Sequence, residues 1–479
     1  MNKRTIVNNL AKIMQTEAIL MLIPMILALV YGEYTDALAF AIVIVPATII
    51  SLLCMRVKGS GLSPRDGYLI VASAWIIISL LGAIPFYLSG AFTSYWAALF
   101  EIVSGFTTTG ASVMPDPGVL GHGMQFWRCF SHWIGGMGVL VFVLMIMPME
   151  NDKSMHLIRA EVPGPTAGKL VPKMKNTSRI LYGMYAAMTL LLAIILKILG
   201  MPLFDSFCYA FGTAGTGGFG INAAGFSIYA NAHAIEVVIA IFMLLFGVNF
   251  NLYHLIFLKK AKDILKDEEL RTYLCIVAIA VVSISIDISR TVGNIGDTLR
   301  LSFFQVSSII TTTGFSTADF STWPQFSQHV LVLIMMIGGC AGSTAGGFKV
   351  SRIIILWKSF VAEIKSILNQ KQVITVRVSG QIIDDKVLNS VRIYSAAYFI
   401  IVCLSILLIS INELDFTTNV TAVLACFNNI GPGLGLVGPA SNFSVYSDSA
   451  KILLSILMLT GRLEIFPMFL LFAKSAHDR

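Results

Sequence analysis

Thr107-Thr108-Thr109-Gly110-Ala111-Ser112 is the first of four related turns in this chain; the others are Gly215-Thr216-Gly217-Gly218-Phe219-Gly220, Thr311-Thr312-Thr313-Gly314-Phe315-Ser316 and Asn428-Asn429-Ile430-Gly431-Pro432-Gly433. Each follows a stretch too short to cross a bilayer, at 94–106, 203–214, 297–310 and 416–428, and each lies between apolar runs. These stretches mix aromatic, Ser and Thr residues with apolar ones and open near Ser94, Asp205, Asp297 and Thr417 or Thr418. They read as half-helices that enter a membrane and stop part way. Non-helical backbone at membrane depth persists only where protein buries it or water reaches it, so four such turns predict one shared aqueous axis. Glycine at 110, 218, 314 and 431 permits positive φ and aims successive carbonyls along that axis.

Composition agrees that lipid is the solvent. Of 479 residues, 56% are hydrophobic and only 12% charged, and the mean hydropathy is +0.81. One soluble core could not hide that much apolar surface. Apolar runs of spanning length fall at 14–32, 36–55, 68–90, 124–148, 180–200, 233–258, 272–289, 327–357, 392–411 and 449–473. The first is too long, and too closely followed by the second, for a cleaved signal. The predicted fold is an all-α polytopic membrane protein: two N-terminal transmembrane helices (1–66), then four span–pore-helix–span repeats (67–149, 150–258, 259–375 and 376–479) around one pore.

Charge sets the orientation. Lys and Arg number 3 in 56–66, 6 in 150–179, 5 in 259–271 and 8 in 349–392, with five more in the two tails. The opposite side holds only Arg128, Lys197, Arg290, Arg300 and Lys451, and Arg462 falls inside the last span. The positive-inside rule then places both termini in the cytoplasm, in a cytoplasmic (inner) membrane. The net charge of +7 is a topology signal and not a nucleic-acid footprint, because the basic residues are spread over short loops without interleaved stacking aromatics. The basic segment 349–392 suits either a docking partner or anionic membrane lipid.

Backbone carbonyls stacked at a water-poor depth are how proteins replace the hydration shell of an alkali cation, so the turns point to ion permeation, K⁺ first. Other chemistries find little support. Seven scattered cysteines without a CxxC pair read as small core residues. Gly215–Gly220 and Gly433–Gly438 both fit G-x-G-x-x-G but lack the βαβ context of dinucleotide binding. The seven histidines show no metal-ligand spacing, and no acid, base and nucleophile set converges, so no enzyme is expected. A secondary transporter for another cation or a small organic solute is the alternative, since it too would have repeats and interrupted spans.

The eighth span is interrupted by Gly338-Gly339-Cys340-Ala341-Gly342-Ser343-Thr344-Ala345-Gly346-Gly347. Each glycine costs a helix about 1 kcal/mol relative to Ala, so a break at 338–347 is predicted, lining a cavity; a close small-residue helix contact is the other reading. Arg462, deep in the last span, must face water or a carboxylate. Glu464, two positions on, lies on another helix face; Glu101 and Glu236 are the buried acids that could pair with Arg462 instead.

Together the four Gly-bearing turns, His132-Trp133-Ile134-Gly135-Gly136-Met137-Gly138 and Gly461-Arg462-Leu463-Glu464 resemble the Trk/Ktr/HKT potassium transporters over essentially the whole chain. The two extra N-terminal spans look like the TrkH type of subunit rather than the shorter KtrB type. That resemblance implies a K⁺-translocating homodimer with one pore per protomer and no organic cofactor. It also implies control by a separate cytoplasmic RCK-type nucleotide-binding subunit. The implied filter comprises Thr108, Thr109, Gly110 and Ala111; Thr216, Gly217, Gly218 and Phe219; Thr312, Thr313, Gly314 and Phe315; and Asn429, Ile430, Gly431 and Pro432. Gly338, Gly339, Gly342, Ser343, Thr344, Gly346 and Gly347 fall in an implied gating loop below it, with Arg462 alongside in the pore. The fourth turn departs most from the Thr/Gly pattern. In plant relatives Ser at the first filter glycine goes with Na⁺ transport, so Gly110 favours K⁺.

Overall fold

Hydrocarbon offers the backbone no hydrogen-bond partners, and a helix satisfies its own amides, so the apolar runs fold as helices. The computed structural model describes residues 3–57, 64–138, 174–257, 261–368 and 375–471. In chain order its helices are α1 (Lys3–Val30), α2 (Tyr34–Met55), α3 (Pro64–Leu88), α4 (Tyr95–Phe106), α5 (His122–Gly136), α6 (Met174–Ile198), α7 (Leu203–Ala214), α8 (Ala232–Phe246) and α9 (Phe250–Phe257). Then follow α10 (Ala261–Ile264), α11 (Glu268–Val292), α12 (Ile295–Ile310), α13 (Gln325–Ile337), α14 (Val350–Leu368), α15 (Asp385–Ile409), α16 (Phe416–Phe427), α17 (Asp448–Arg462) and α18 (Phe466–Leu470). A small antiparallel hairpin, β1 (Arg377–Val378) with β2 (Gln381–Ile382), sits between α14 and α15.

Among the described residues six helices, α1, α2, α3, α6, α11 and α15, are long and apolar enough to cross a membrane, so the chain is a multi-pass membrane protein. Their outward faces carry Ile26, Leu38, Val45, Ile279 and Leu404, all exposed, as lipid contact requires. Of the ten spans expected from hydropathy, three are not single continuous helices, and one of these breaks is the predicted one. The run 233–258 is two helices, α8 and α9, bent by 92°, because Gly247 and Asn249 interrupt it. The run 327–357 breaks between α13 and α14, as its glycines predict. The run 449–473 stops at Arg462, beyond which Glu464 and Ile465, both at positive φ, turn the chain into the short α18. Of the run 124–148, α5 accounts for the part to Gly136; residues 139–173 lie outside the described residues.

The four short helices α4, α7, α12 and α16 match the predicted half-helices, but their first turns are capped differently. Ser94 caps α4 through the Ala97 amide as expected. Asn294, and not Asp297, caps α12; Asp415, and not Thr417 or Thr418, caps α16 through the Thr418 amide. Helix α7 starts after Pro202 without a side-chain cap, leaving Asp205 in its first turn. Several cap-competent residues stand together at these ends, and the backbone chooses the one with extended φ/ψ.

The core lies between the short helices and the longer ones around them. Trp127 of α5 is fully buried, edge-on to Phe40 of α2 and Phe106 of α4. Its indole N–H donates to Gly82 O of α3 at 3.2 Å. One side chain thus joins the N-terminal helices to the end of the first half-helix, where the first turn begins.

Candidate functional site: four turns in a ring

Each short helix ends in the same backbone figure. The residue after the helix is Thr107, Gly215, Thr311 or Asn428; the next, Thr108, Thr216, Thr312 or Asn429, has φ of +56°, +55°, +54° or +56°. Two positions on, Gly110, Gly218, Gly314 and Gly431 have φ of +78°, +74°, +85° and +102°. The amides of Thr109, Gly217, Thr313 and Ile430 turn back to the carbonyls of Ser104, Gly212, Ser308 and Ala425 at 2.8–2.9 Å. This closes the helix in the manner of a Schellman motif, in which the left-handed residue is usually glycine. Here it is Thr or Asn, which costs about 1–2 kcal/mol per residue. The glycines were expected to hold positive φ and do; the left-handed Thr and Asn residues were not foreseen.

The turns meet in cyclic order. A methyl group placed on Gly110 would lie 2.0 Å from Gly217 O, one on Gly218 1.9 Å from Thr313 O, one on Gly314 2.0 Å from Ile430 O, and one on Gly431 2.8 Å from Thr109 O. Each turn's glycine therefore faces the carbonyl of the next, and the fourth turn faces the first. The C-terminal residues Ala111, Phe219, Phe315 and Pro432 open onto one cavity of about 260 Å³. The four predicted segments are thus brought together.

The ring is braced from behind. In the first and third turns Thr107 and Thr109, and Thr311 and Thr313, pair their hydroxyls at 2.8 Å. Asn429 donates to Thr109 Oγ1 at 3.0 Å and to Met458 O at 2.9 Å, which ties the fourth turn to the first. Glu101, wholly buried, accepts from Arg128 Nε at 2.6 Å, Ser112 Oγ at 2.9 Å and Val113 N at 3.0 Å. Arg128 donates on to Gly220 O at 2.7 Å and stacks 3.6 Å over the Phe219 ring. This buried ion pair joins the first turn to the second. His132 Nδ1 donates to Gly105 O at 3.0 Å, and its ring stands 4.1 Å from that of Phe219.

Residues 338–347 form a loop against the other side of the ring. Gly338, Gly342 and Gly347 have φ of +78°, +71° and +80°. Gly346 N donates to Thr312 Oγ1 at 2.6 Å, and Gly346 packs against Asn428 O and Asn429. Ser343 Oγ folds back on Cys340 O at 2.6 Å. At the base, Lys349 N reaches Ile337 O at 2.7 Å and Val350 N reaches Gly339 O at 3.1 Å. The break between α8 and α9 supplies the loop's seat: Cys340 N donates to Gly247 O at 3.0 Å and Thr344 Oγ1 to Phe246 O at 3.2 Å. Helix-end carbonyls without intrahelical partners are thereby satisfied.

Arg462 reaches this loop. Its guanidinium donates to Thr344 O at 2.9 Å, Gly135 O at 2.6 Å and Gly136 O at 2.8 Å. The candidate pairings with Glu101 or Glu236 are overturned, because Arg128 holds Glu101 and Arg300 holds Glu236. Glu464 pairs with Arg352. Arg462 is also not the lone cation in the interior: Arg128, Lys349 and Arg352 are all buried. Lys349 and Arg352, counted with the basic loop 349–392, are drawn into the interior beside the break at 338–349, and Arg128 is buried on Glu101. Two opposite charges in neighbouring apolar stretches, Glu101 and Arg128, were the signal for that pair.

Helices sized for a bilayer, four short helices ending in a common turn, and a loop packed against those turns define a polytopic membrane protein. The chain belongs to the TrkH family of cation transport proteins, which matches residues 37–478. It is 35% identical to the Trk system potassium uptake protein TrkG of Escherichia coli, over 95% of this chain and 94% of that one. It is also 35% identical to TrkH of Salmonella typhimurium, over 94% of each. The crystal structure of the potassium transporter TrkH from Vibrio parahaemolyticus superimposes with a TM-score of 0.89 at 30% identity, covering 99% of this chain and 100% of that one.

Proposed function

We propose that this chain takes up K⁺ across the cytoplasmic membrane through the ring of four turns. The observation that carries the reading is the cyclic approach of each turn's glycine to the next turn's carbonyl. Four left-handed residues followed by four glycines leave peptide oxygens as the groups available to a dehydrated cation. The four repeats 67–149, 150–258, 259–375 and 376–479 each contribute one wall, behind the N-terminal helices of 1–66. The half-helices aim their C-terminal, partially negative ends at the axis and favour a cation there.

The loop 338–347 closes the path below the ring, and Arg462 sets the barrier: a guanidinium donating to the loop and to Gly135 and Gly136 places positive charge where K⁺ must pass. Both termini face the cytoplasm. The working unit is a homodimer with one pore per protomer, controlled by a separate RCK-type nucleotide-binding subunit docking on the cytoplasmic side and surrounded by membrane lipid.

Purified protein in liposomes tests the reading. Rb⁺ uptake that excess K⁺ blocks is the expected result; uptake of an organic solute without Rb⁺ flux would overturn it. Arg462→Ala should keep the preference for K⁺ and raise flux, and unchanged flux in well-folded protein would remove Arg462 from the barrier.

A further inference from the structure

Two adjacent carboxylates open α11, behind its cap Asp267. Glu269 Oε1 accepts from Ala341 N at 2.7 Å and from Ser351 N at 3.0 Å. Ala341 lies within the 338–347 loop, and Ser351 lies in the first turn of α14, whose amides have no intrahelical partner. One carboxylate oxygen on a third helix therefore spans the base of the loop. Glu268 faces elsewhere. Its Oε2 accepts from Ser379 N at 2.9 Å, its own amide donates to Ser379 Oγ at 3.2 Å, and its carboxylate pairs with Lys358 of α14. Ser379 and Gly380, both at positive φ, are the two-residue turn of the β1–β2 hairpin. Lys358 also donates to Arg377 O at 2.8 Å.

We infer that Glu269 is the latch of the loop, a positioning residue that holds 338–347 against the ring, and that Glu268 ties this latch to the hairpin. The pair makes the start of α11 a rigid link from the hairpin tip to the loop, with one peptide unit between the two grips. A displacement of the hairpin is thereby delivered to Ala341 and Ser351. The inference rests on the reading of 338–347 as the closing loop, and its experiment separates the two.

Cys340, inside the loop and fully buried, is the reporter. In full-length protein whose other six cysteines are replaced, the rate of Cys340 labelling by a soluble maleimide measures release of the loop. Loss of two charge-assisted hydrogen bonds in Glu269→Ala should raise that rate on the order of tenfold to a hundredfold. Glu269→Gln, whose amide oxygen still accepts, should restore most of the protection. Ser351→Pro removes one donor at a helix position that tolerates proline, and should raise labelling by less. Labelling unchanged in both Glu269→Ala and Ser351→Pro overturns the latch. Glu268→Ala should also raise labelling, and no change there overturns the tie to the hairpin. Rb⁺ flux through a variant lacking 342–345 judges the closing-loop reading independently: higher flux supports it, and unchanged flux removes it whatever Cys340 shows.

Discussion

Adding a methyl group to each ring glycine should damage selectivity in an order that the structure sets. All four positions have positive φ, so every Gly→Ala change carries a similar left-handed cost of about 1–2 kcal/mol. What differs is the distance to the facing carbonyl: 2.0 Å at Gly110, 1.9 Å at Gly218 and 2.0 Å at Gly314, against 2.8 Å at Gly431. An ordinary C···O contact is about 3.3 Å, so the first three variants must push the neighbouring turn back by roughly 1.3 Å and Gly431→Ala by roughly 0.5 Å. The displaced atoms are the peptide oxygens proposed to coordinate K⁺. A loss of about 1.4 kcal/mol in their preference for K⁺ over Na⁺ is tenfold in the ratio. Gly110→Ala, Gly218→Ala and Gly314→Ala should therefore lower the K⁺/Na⁺ ratio tenfold or more, in this order-of-magnitude sense, and Gly431→Ala should lower it clearly less. Gly110→Ser should behave like Gly110→Ala and let Na⁺ compete. The assay is Rb⁺ uptake into liposomes, titrated with K⁺ and with Na⁺, on variants that elute as folded protein. Equal or greater damage at Gly431, or intact discrimination at the other three, would refute the carbonyl ring.

The remaining expectations concern the supports of the ring. Glu101→Gln leaves the Arg128 guanidinium buried without its counter-charge, which typically costs about 3–5 kcal/mol; thermal unfolding in detergent should fall by many degrees, and a shift of a degree or less would show that the pair does not brace the turns. Asp415, at the start of α16, is held below its usual carboxylate range by the Thr418 hydroxyl and amide. Its lowered value means the cap contributes above the unfolded-state pKa and is lost as pH falls through the folded one. Acidification should therefore weaken the wild type toward Asp415→Ala, and a stability difference that persists in strong acid would contradict the capping role.

How far the sequence reaches varies with the kind of residue. The ring glycines were legible because few other residues adopt positive φ cheaply, and four of them recur at one place. The Thr and Asn residues two positions earlier were hidden for the same reason, since a β-branched side chain argues against the left-handed conformation that Thr108, Thr216 and Thr312 adopt. The break at 338–347 announced itself through five glycines, whereas the bend between α8 and α9 sits in a nearly continuous apolar run with only Gly247 and Asn249 to mark it. The depth of Arg462 could be read from hydropathy. Its bonds to Thr344, Gly135 and Gly136 could not, because they join segments more than a hundred residues apart.

The seat of the loop on the broken end of α8 bears on how the proposed path fills. While Cys340 and Thr344 donate to the Gly247 and Phe246 carbonyls respectively, protein groups satisfy that end. Departure of the loop strips both oxygens of their donors in a place where lipid can offer none, so solvent must arrive as the amides leave. On the proposed closing role of the loop, unblocking and flooding form a single cooperative event, and a loop half withdrawn over bare carbonyls is the least stable arrangement along the way.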